Sequence, residues 1–241
     1  MFHAPAGVRP SSSCHAVKPA RTHHPRAALT LVELLLGITL LAILAALAAP
    51  ALARARNRVQ GAVCSNHLRQ WGLATHLYTL DHDDFLPPDG TPNPGPSSTN
   101  QGWYIALPRQ LGLAAYHTMP WRTNPAVNPG PSIWLCPSNT RRSNGRNLFH
   151  YCLNEHVNGT GENDRPVRLT PLQEPASLVW LFDSKNLPAV GDWSYVHTNL
   201  HARGAQFLFL DGHVARFQQA ASWDPVTGRA RTNHPALRWI P

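Results

Sequence analysis

LTLVELLLGITLLAILAALAAPALA, running from Leu29 to Ala53, decides how the rest of the chain is read. It carries one charge, Glu33, and its apolar side chains fall on every face of a helix rather than along one stripe. Roughly 20 apolar residues cross a hydrocarbon core of about 30 Å, so the segment is long enough to span a membrane. It is also longer than the ~7–15-residue apolar region of a secretory signal. Before it lie 28 residues with Arg9, Lys18, Arg21 and Arg26 and no acid; after it come Arg54, Arg56 and Arg58. Positive charge on both flanks gives only a weak vote for a cytoplasmic N-terminus. Glu33 is expensive in the first turns of a membrane helix and calls for a partner. Pro50 removes one helical hydrogen bond, and it either kinks the helix or ends the span.

Beyond the span no proline occurs from Leu52 to Leu80, and Val59, Val63, Leu68, Trp71 and Tyr78 recur at helical spacing. This predicts an amphipathic continuation, giving one helix of about fifty residues, although Gly61 and Gly72 each cost about 1 kcal/mol relative to Ala. The acids of Asp81-His82-Asp83-Asp84 oppose the helix macrodipole and mark its end. Residues 87–101, PPDGTPNPGPSSTNQ, are a loop. The body after it holds short apolar pieces at Trp103–Leu107, Ile133–Cys136 and Leu178–Phe182, then Ala205–Leu210 and His213–Phe217 flanking Asp211-Gly212. That last pair reads as a hairpin, with Asp-Gly accepting the positive φ angles of a two-residue turn.

Composition narrows the function classes. Of 241 residues 43% are hydrophobic, enough for a core, while 23 Pro and 16 Gly against 14% charged residues argue for a loop-rich body. The net charge of +8 would point to nucleic acid if it lay on one face. Half of it belongs to residues 1–28, so bulk charge is weak support for such a role. Cys14, Cys64, Cys136 and Cys152 form no C-x-x-C pair and no zinc-type spacing. There is no G-x-S-x-G, no phosphate-binding Gly-rich loop with Lys, no H-E-x-x-H and no dinucleotide fingerprint, so the chain is not read as an enzyme.

Ala28-Leu29-Thr30-Leu31-Val32-Glu33 followed by an apolar run resembles the cleavage and methylation signal of type IV prepilins and type II secretion pseudopilins. In that family a peptidase cuts before an apolar residue and the new N-terminus is methylated. The resemblance places the cut between Ala28 and Leu29, with Ala28 standing where the family usually has Gly. Glu33 and Pro50 then fall where the family carries a glutamate and often a proline. A further likeness, to a pilin-like subgroup, rests on His201, nine intervening residues and Asp211-Gly212. Cys64 to Ala74 (CSNHLRQWGLA), Leu86-Pro87-Pro88, Leu135-Cys136-Pro137-Ser138 and Asp211-Gly212-His213-Val214 also look like that subgroup.

What this resemblance implies is an α+β, pilin-like fold: a long N-terminal membrane-spanning helix packed on a small antiparallel sheet with Pro-rich loops. Residues 1–28 would be a leader peptide that is removed, 29–53 the transmembrane and filament-core half of the helix, 54–80 its amphipathic half, and 81–241 a β-rich domain. The chain would be a precursor in the bacterial inner membrane, its C-terminal domain in the periplasm or at the cell surface. Its partners would be the prepilin peptidase and N-methylase, other pilin-like subunits and an inner-membrane assembly platform. The amine of Leu29 in one subunit would neutralise Glu33 of its neighbour, and removing one member of such a buried pair costs about 3–5 kcal/mol.

Other chemistries have weaker signals. Asp183, His201 and Asp211, with His197 and His213 nearby, are the candidate metal ligands. Calcium is implied by related pseudopilins, whereas histidines suit zinc or another divalent transition metal better. The alternative reading is a membrane-anchored domain with a metal or ligand site around His201 and Asp211. Asp81, Asp83, Asp84 and Asp89 are either a solvated loop or a calcium loop. Cys64 and Cys136 form a disulfide or remain two buried thiols, with Cys152 left over. Arg141, Arg142 and Arg146 near Trp134 and Phe149 are the only hint of a DNA-binding or adhesive pilin; a solvated loop explains them as well, and nucleic acid is not expected as a partner.

Overall fold

The computed structural model describes residues 30–90, 102–158, 167–185, 188–224, 226–227, 229–232 and 234–241. These fall into two compact units that divide between Ala48 and Ala49. Helix α1 (Leu31–Asp81) begins in the first unit and ends in the second, running through Pro50, which therefore does not end it. Up to Ala48 every described residue is exposed, Leu31 at 74% and Leu47 at 70% among them. This is the one helix of the described residues that is long and apolar enough to cross a membrane.

The second unit is built on the later turns of α1 and on a five-stranded sheet. After α1 come α2 (Trp103–Gln110), β1 (Tyr151–Asn154), α3 (Glu155–Asn158), β2 (Val179–Asp183), β3 (Val190–Gly191), β4 (Gly204–Phe209), β5 (Val214–Gln218) and α4 (Gln219–Ser222). A two-stranded ribbon, β6 (Trp223–Asp224) with β7 (Arg229–Ala230), follows. The sheet order is β3-β1-β2-β4-β5. All neighbours are antiparallel except β1 and β3, so the sheet is mixed and not wholly antiparallel as expected. The cause is topological: after β2 the chain reverses and passes to the far side of β1, so β3 arrives parallel to it.

Both faces of the central strands are covered. Leu153, Trp180, Leu181 and Leu208 join Cys64, Leu68, Trp71 and Ala74 of α1 in one core. Cys152, Val179, Phe182, Phe207 and Phe209 pack on the other face with Leu237 and Trp239. Strands buried on two faces lose their polar alternation. Tyr-Cys-Leu-Asn of β1 is wholly buried and shows no strand period, which is why it escaped the sequence reading. Trp103–Leu107 proves helical within α2, since a short apolar run cannot be assigned by periodicity alone.

The buried stripe of α1 runs through Cys64, Leu68, Trp71, Gly72, Ala74, Thr75 and Thr79, while Val59 and Val63 are exposed. The face that meets the sheet is thus marked partly by small residues. A Cβ on Gly72 would come 2.8 Å from Leu208 Cδ1. Trp180 Nε1 donates to Thr75 Oγ1 at 2.9 Å, tying β2 to the helix. The helix ends on Asp83 and Asp84, both at positive φ, with the Asp84 amide donating to the Thr79 carbonyl. Asp84 Oδ2 also accepts the Thr170 amide at 2.9 Å, so this acid serves the turn.

Candidate functional site

The segment that carries the cleavage and assembly expectations begins at Thr30, because Ala28 and Leu29 lie outside the described residues, as does the leader 1–28. Thr30 precedes the first helical residue, and Glu33 is the third residue of α1. Glu33 Oε2 accepts the Thr30 amide at 2.9 Å and the Thr30 hydroxyl at 2.8 Å, while the Glu33 amide donates to Thr30 Oγ1 at 3.3 Å. This is a reciprocal capping box, which satisfies amides that a helix start otherwise leaves bare. Its signal, Thr-x-x-Glu before an apolar run, was legible in the sequence and was passed over there. Both bonds to the carboxylate fall on Oε2, and Oε1 has no partner among the described residues.

The second unit gathers a buried polar cluster from segments far apart in the chain. Asp183 at the end of β2 lies 3.1 Å, Oδ2 to Nε2, from His201. His201 Nε2 in turn lies 3.5 Å from Cys136 Sγ, and Cys136 is disulfide-bonded to Cys64 of α1. Cys152 is a free, buried thiol whose pKa burial pushes well up. Asp183 Oδ2 also accepts the Gln206 amide at 2.8 Å, and Gln206 Nε2 donates to the Gly61 carbonyl at 2.7 Å. Gln206, unnoticed in the sequence, therefore connects the cluster to the helix. No local motif flags it, because its partners lie in β2 and α1.

The turn that presents His201 is strained. Ala202 and Arg203 sit at φ +48° and +61°, a left-handed conformation costing non-glycine residues about 1–2 kcal/mol each. Around it the Leu200 and His201 amides donate to the Gly204 carbonyl, and Arg216 Nη1 donates to the His201 carbonyl at 2.8 Å. Gly204 itself admits no side chain, since a Cβ there would strike the Phe217 carbonyl oxygen.

Neighbouring groups titrate under the same burial. His150, whose Nε2 meets the Arg141 carbonyl, has its pKa pulled down to about 4 by burial. His197 is also lowered, mainly by burial, with the nearby Asp183 charge opposing the shift. Burial, reinforced by Asp183, raises the Tyr151 phenol well above its usual range.

The expected metal set is divided. Asp183 and His201 meet, but Asp211 stands beyond the other end of β4, six strand residues of about 3.4 Å each away from His201. Asp211 instead accepts the His213 amide at 3.0 Å and lies 2.6 Å from His213 Nδ1, and the His213 ring stacks on Phe209. The turn also differs from the expected two-residue form. The Gly212 amide donates to the Phe209 carbonyl, and Gly212 alone takes positive φ, +88°, so Leu210 and Asp211 are its centre and Gly212 is the bulge. Trp134 and Phe149, 3% and 2% exposed, belong to the aromatic core and offer no stacking face beside Arg142 and Arg146.

Two clefts flank the cluster. One of about 680 Å³ is lined by His201, Gln206, Gly61 and Ser138 together with Arg54, Arg58 and Arg216, and holds no acid. The other, about 360 Å³, is lined by Val63, His67, Cys136 and His150 among others. In comparisons with protein-family models, with curated proteins and with solved structures, nothing matches this chain.

Proposed function

We propose that the chain is a structural subunit of a filament of the type II secretion pseudopilus or type IV pilus kind. It is made as a precursor, trimmed after Ala28 by a prepilin peptidase, methylated on Leu29, and assembled through the first half of α1. The observation that carries this reading is the contrast along one helix. Its first half has no buried residue, while its second half is packed into a folded, disulfide-bonded unit. Such a half-helix needs apolar surroundings, which a membrane supplies before assembly and neighbouring helices supply after it.

The capping box supports a role for Glu33 in that exchange. Before assembly the carboxylate is held by Thr30, so it is not left bare in the first turn. Oε1 remains available to an incoming amine. Cleavage creates such an amine on Leu29, and a charge-assisted bond to Glu33 of the next subunit would set the register between them. The protein moves no bond in this reading; it is a substrate of the processing enzymes and a building block.

The test is intact mass and N-terminal sequencing of the membrane-extracted protein, expressed with and without a prepilin peptidase. The expected product starts at methylated Leu29 only when the peptidase is present. A chain that keeps residues 1–28 in both cases overturns the reading. Glu33→Gln should still be cut but should fail to enter filaments.

A further inference from the structure

We propose that Cys64, Cys136, His201 and Asp183 form a zinc site that alternates with the Cys64–Cys136 disulfide, independently of whether the chain builds filaments. The donor atoms of Cys64, Cys136 and His201 all lie within 4.8 Å of one another. His201 Nε2 is 3.5 Å from Cys136 Sγ and 3.1 Å from Asp183 Oδ2. Zinc bound tetrahedrally at ordinary bond lengths separates nitrogen from sulfur by about 3.6 Å and nitrogen from oxygen by about 3.4 Å. Two of the required spacings are therefore already present. Once the sulfur–sulfur bond is reduced, the two sulfurs have to settle about 3.8 Å apart, and Asp183, which lies outside the 4.8 Å group of the other three donors, has to close on them.

The surroundings suit a bound cation better than they suit the pair alone. Asp183 is fully buried, and its Oδ1 has no hydrogen-bond partner among the described residues. A buried carboxylate oxygen without a partner is costly, and a metal ion in contact with that carboxylate would offset the cost. His201 is 6% exposed, and Arg216 braces the backbone of the strained turn that presents it by donating to its carbonyl. Two sulfurs, a nitrogen and one carboxylate are a zinc set; calcium would want six to eight oxygens. The smaller cleft, lined by Cys136, supplies an entry path. Like the disulfide, the ion would join α1 to the body, because its ligands come from four separate segments.

The exchange balances as follows. A dithiol reductant gives two electrons and two protons to the disulfide, leaving two thiols in the protein and one disulfide in the reductant. Zinc then displaces both thiol protons to solvent and binds the thiolates, the His201 nitrogen and an Asp183 oxygen. A disulfide oxidant reverses this, withdrawing two electrons from the thiolates, re-forming the sulfur–sulfur bond and releasing zinc.

The test uses the full chain in detergent, reduced with a phosphine without oxygen, incubated with zinc chloride and freed of excess metal. Elemental analysis and thiol counting should give one zinc per reduced chain and none per oxidised chain. Cobalt in place of zinc should show thiolate-to-metal charge-transfer bands and a tetrahedral spectrum. His201→Ala and Asp183→Asn should each weaken zinc binding by at least about tenfold in competition with a chromophoric chelator. Cys152→Ser should bind as the parent does. If reduction loosens the domain, zinc must restore its near-ultraviolet circular dichroism. A reduced chain that stays metal-free, or variants that bind zinc as tightly as the parent, would overturn the proposal.

Discussion

Between Leu31 and Ala48, α1 turns Leu31, Leu41, Leu44 and Leu47 outward at more than half exposure, whereas between Cys64 and Thr79 the same helix buries Leu68 and Trp71 completely. The more hydrophobic half is thus the one without a packing partner among the described residues. Burial in α1 follows what the fold provides opposite each turn. Around Trp71 that provision is an aromatic cluster, with Trp134 at 4.5 Å and Trp103 at 5.8 Å between ring centroids. The comparison teaches that the second half is specified by complementary packing inside the chain, whereas the first finds no such packing among the described residues.

The largest test of this contrast is a pair of truncations. Trp71→Ala should lower the stability of the folded body by about 4 kcal/mol, the usual cost of deleting a buried aromatic side chain. Leu41→Ala, in the exposed half, should leave the same unfolding midpoint unchanged. Guanidinium unfolding of the full chain in detergent, followed by near-ultraviolet circular dichroism, measures both. Equal effects would mean that the two halves are not separately specified.

Histidine protonation should reach only the packed body, because residues 31–48 contain no histidine. His150 titrates at about 4 when folded, against about 6.5 when unfolded. Between those values the unfolded chain holds a proton that the native chain does not. The native state therefore has its full advantage above about pH 6.5 and loses about 3 kcal/mol as the pH falls from there to about 4. His67 and His197 are lowered by burial too and act in the same direction. His150→Gln should flatten most of the slope of unfolding free energy between pH 4 and 6.5. A slope that stays as steep in that variant would assign the acid sensitivity elsewhere.

Sequence pattern carried the helix well and the site poorly, for physical reasons. The span, its continuation to Asp81 and the β4–β5 hairpin are local, so periodicity and turn residues reveal them. The Thr30–Glu33 box was equally local and lay in plain view. By contrast, the Asp183–His201–Cys136 contacts join residues separated by 18 and 65 positions, and no spacing rule predicts which will meet. Asp211 drew attention because it shares a motif with His201. A six-residue strand then carries the two to opposite ends, as a fully formed β4 must. β1 and β3 stayed hidden because one is buried on both faces and the other has only two residues.

Gly61 and Gly72 of α1 give the smallest effect and the sharpest comparison, because helix propensity treats them alike. On that count Ala should stabilise either site by up to about 1 kcal/mol. At Gly61 the new methyl would lie 3.4 Å from His201 Nδ1 and 3.8 Å from Gln206 Nε2, ordinary contact distances, so Gly61→Ala should keep most of that gain. At Gly72 it would lie 2.8 Å from Leu208 Cδ1 and 3.4 Å from the Gly212 backbone. Leu208 must then shift in a core already filled, and overpacking of this kind costs about 1–3 kcal/mol. Gly72→Ala should therefore come out destabilising by about 1 kcal/mol, opposite in sign to Gly61→Ala. Thermal unfolding of both variants beside the parent decides it. Two stabilised variants would mean that α1 stands off the sheet at Gly72. Two destabilised ones would mean that the cluster at Gly61 is packed as tightly as the core.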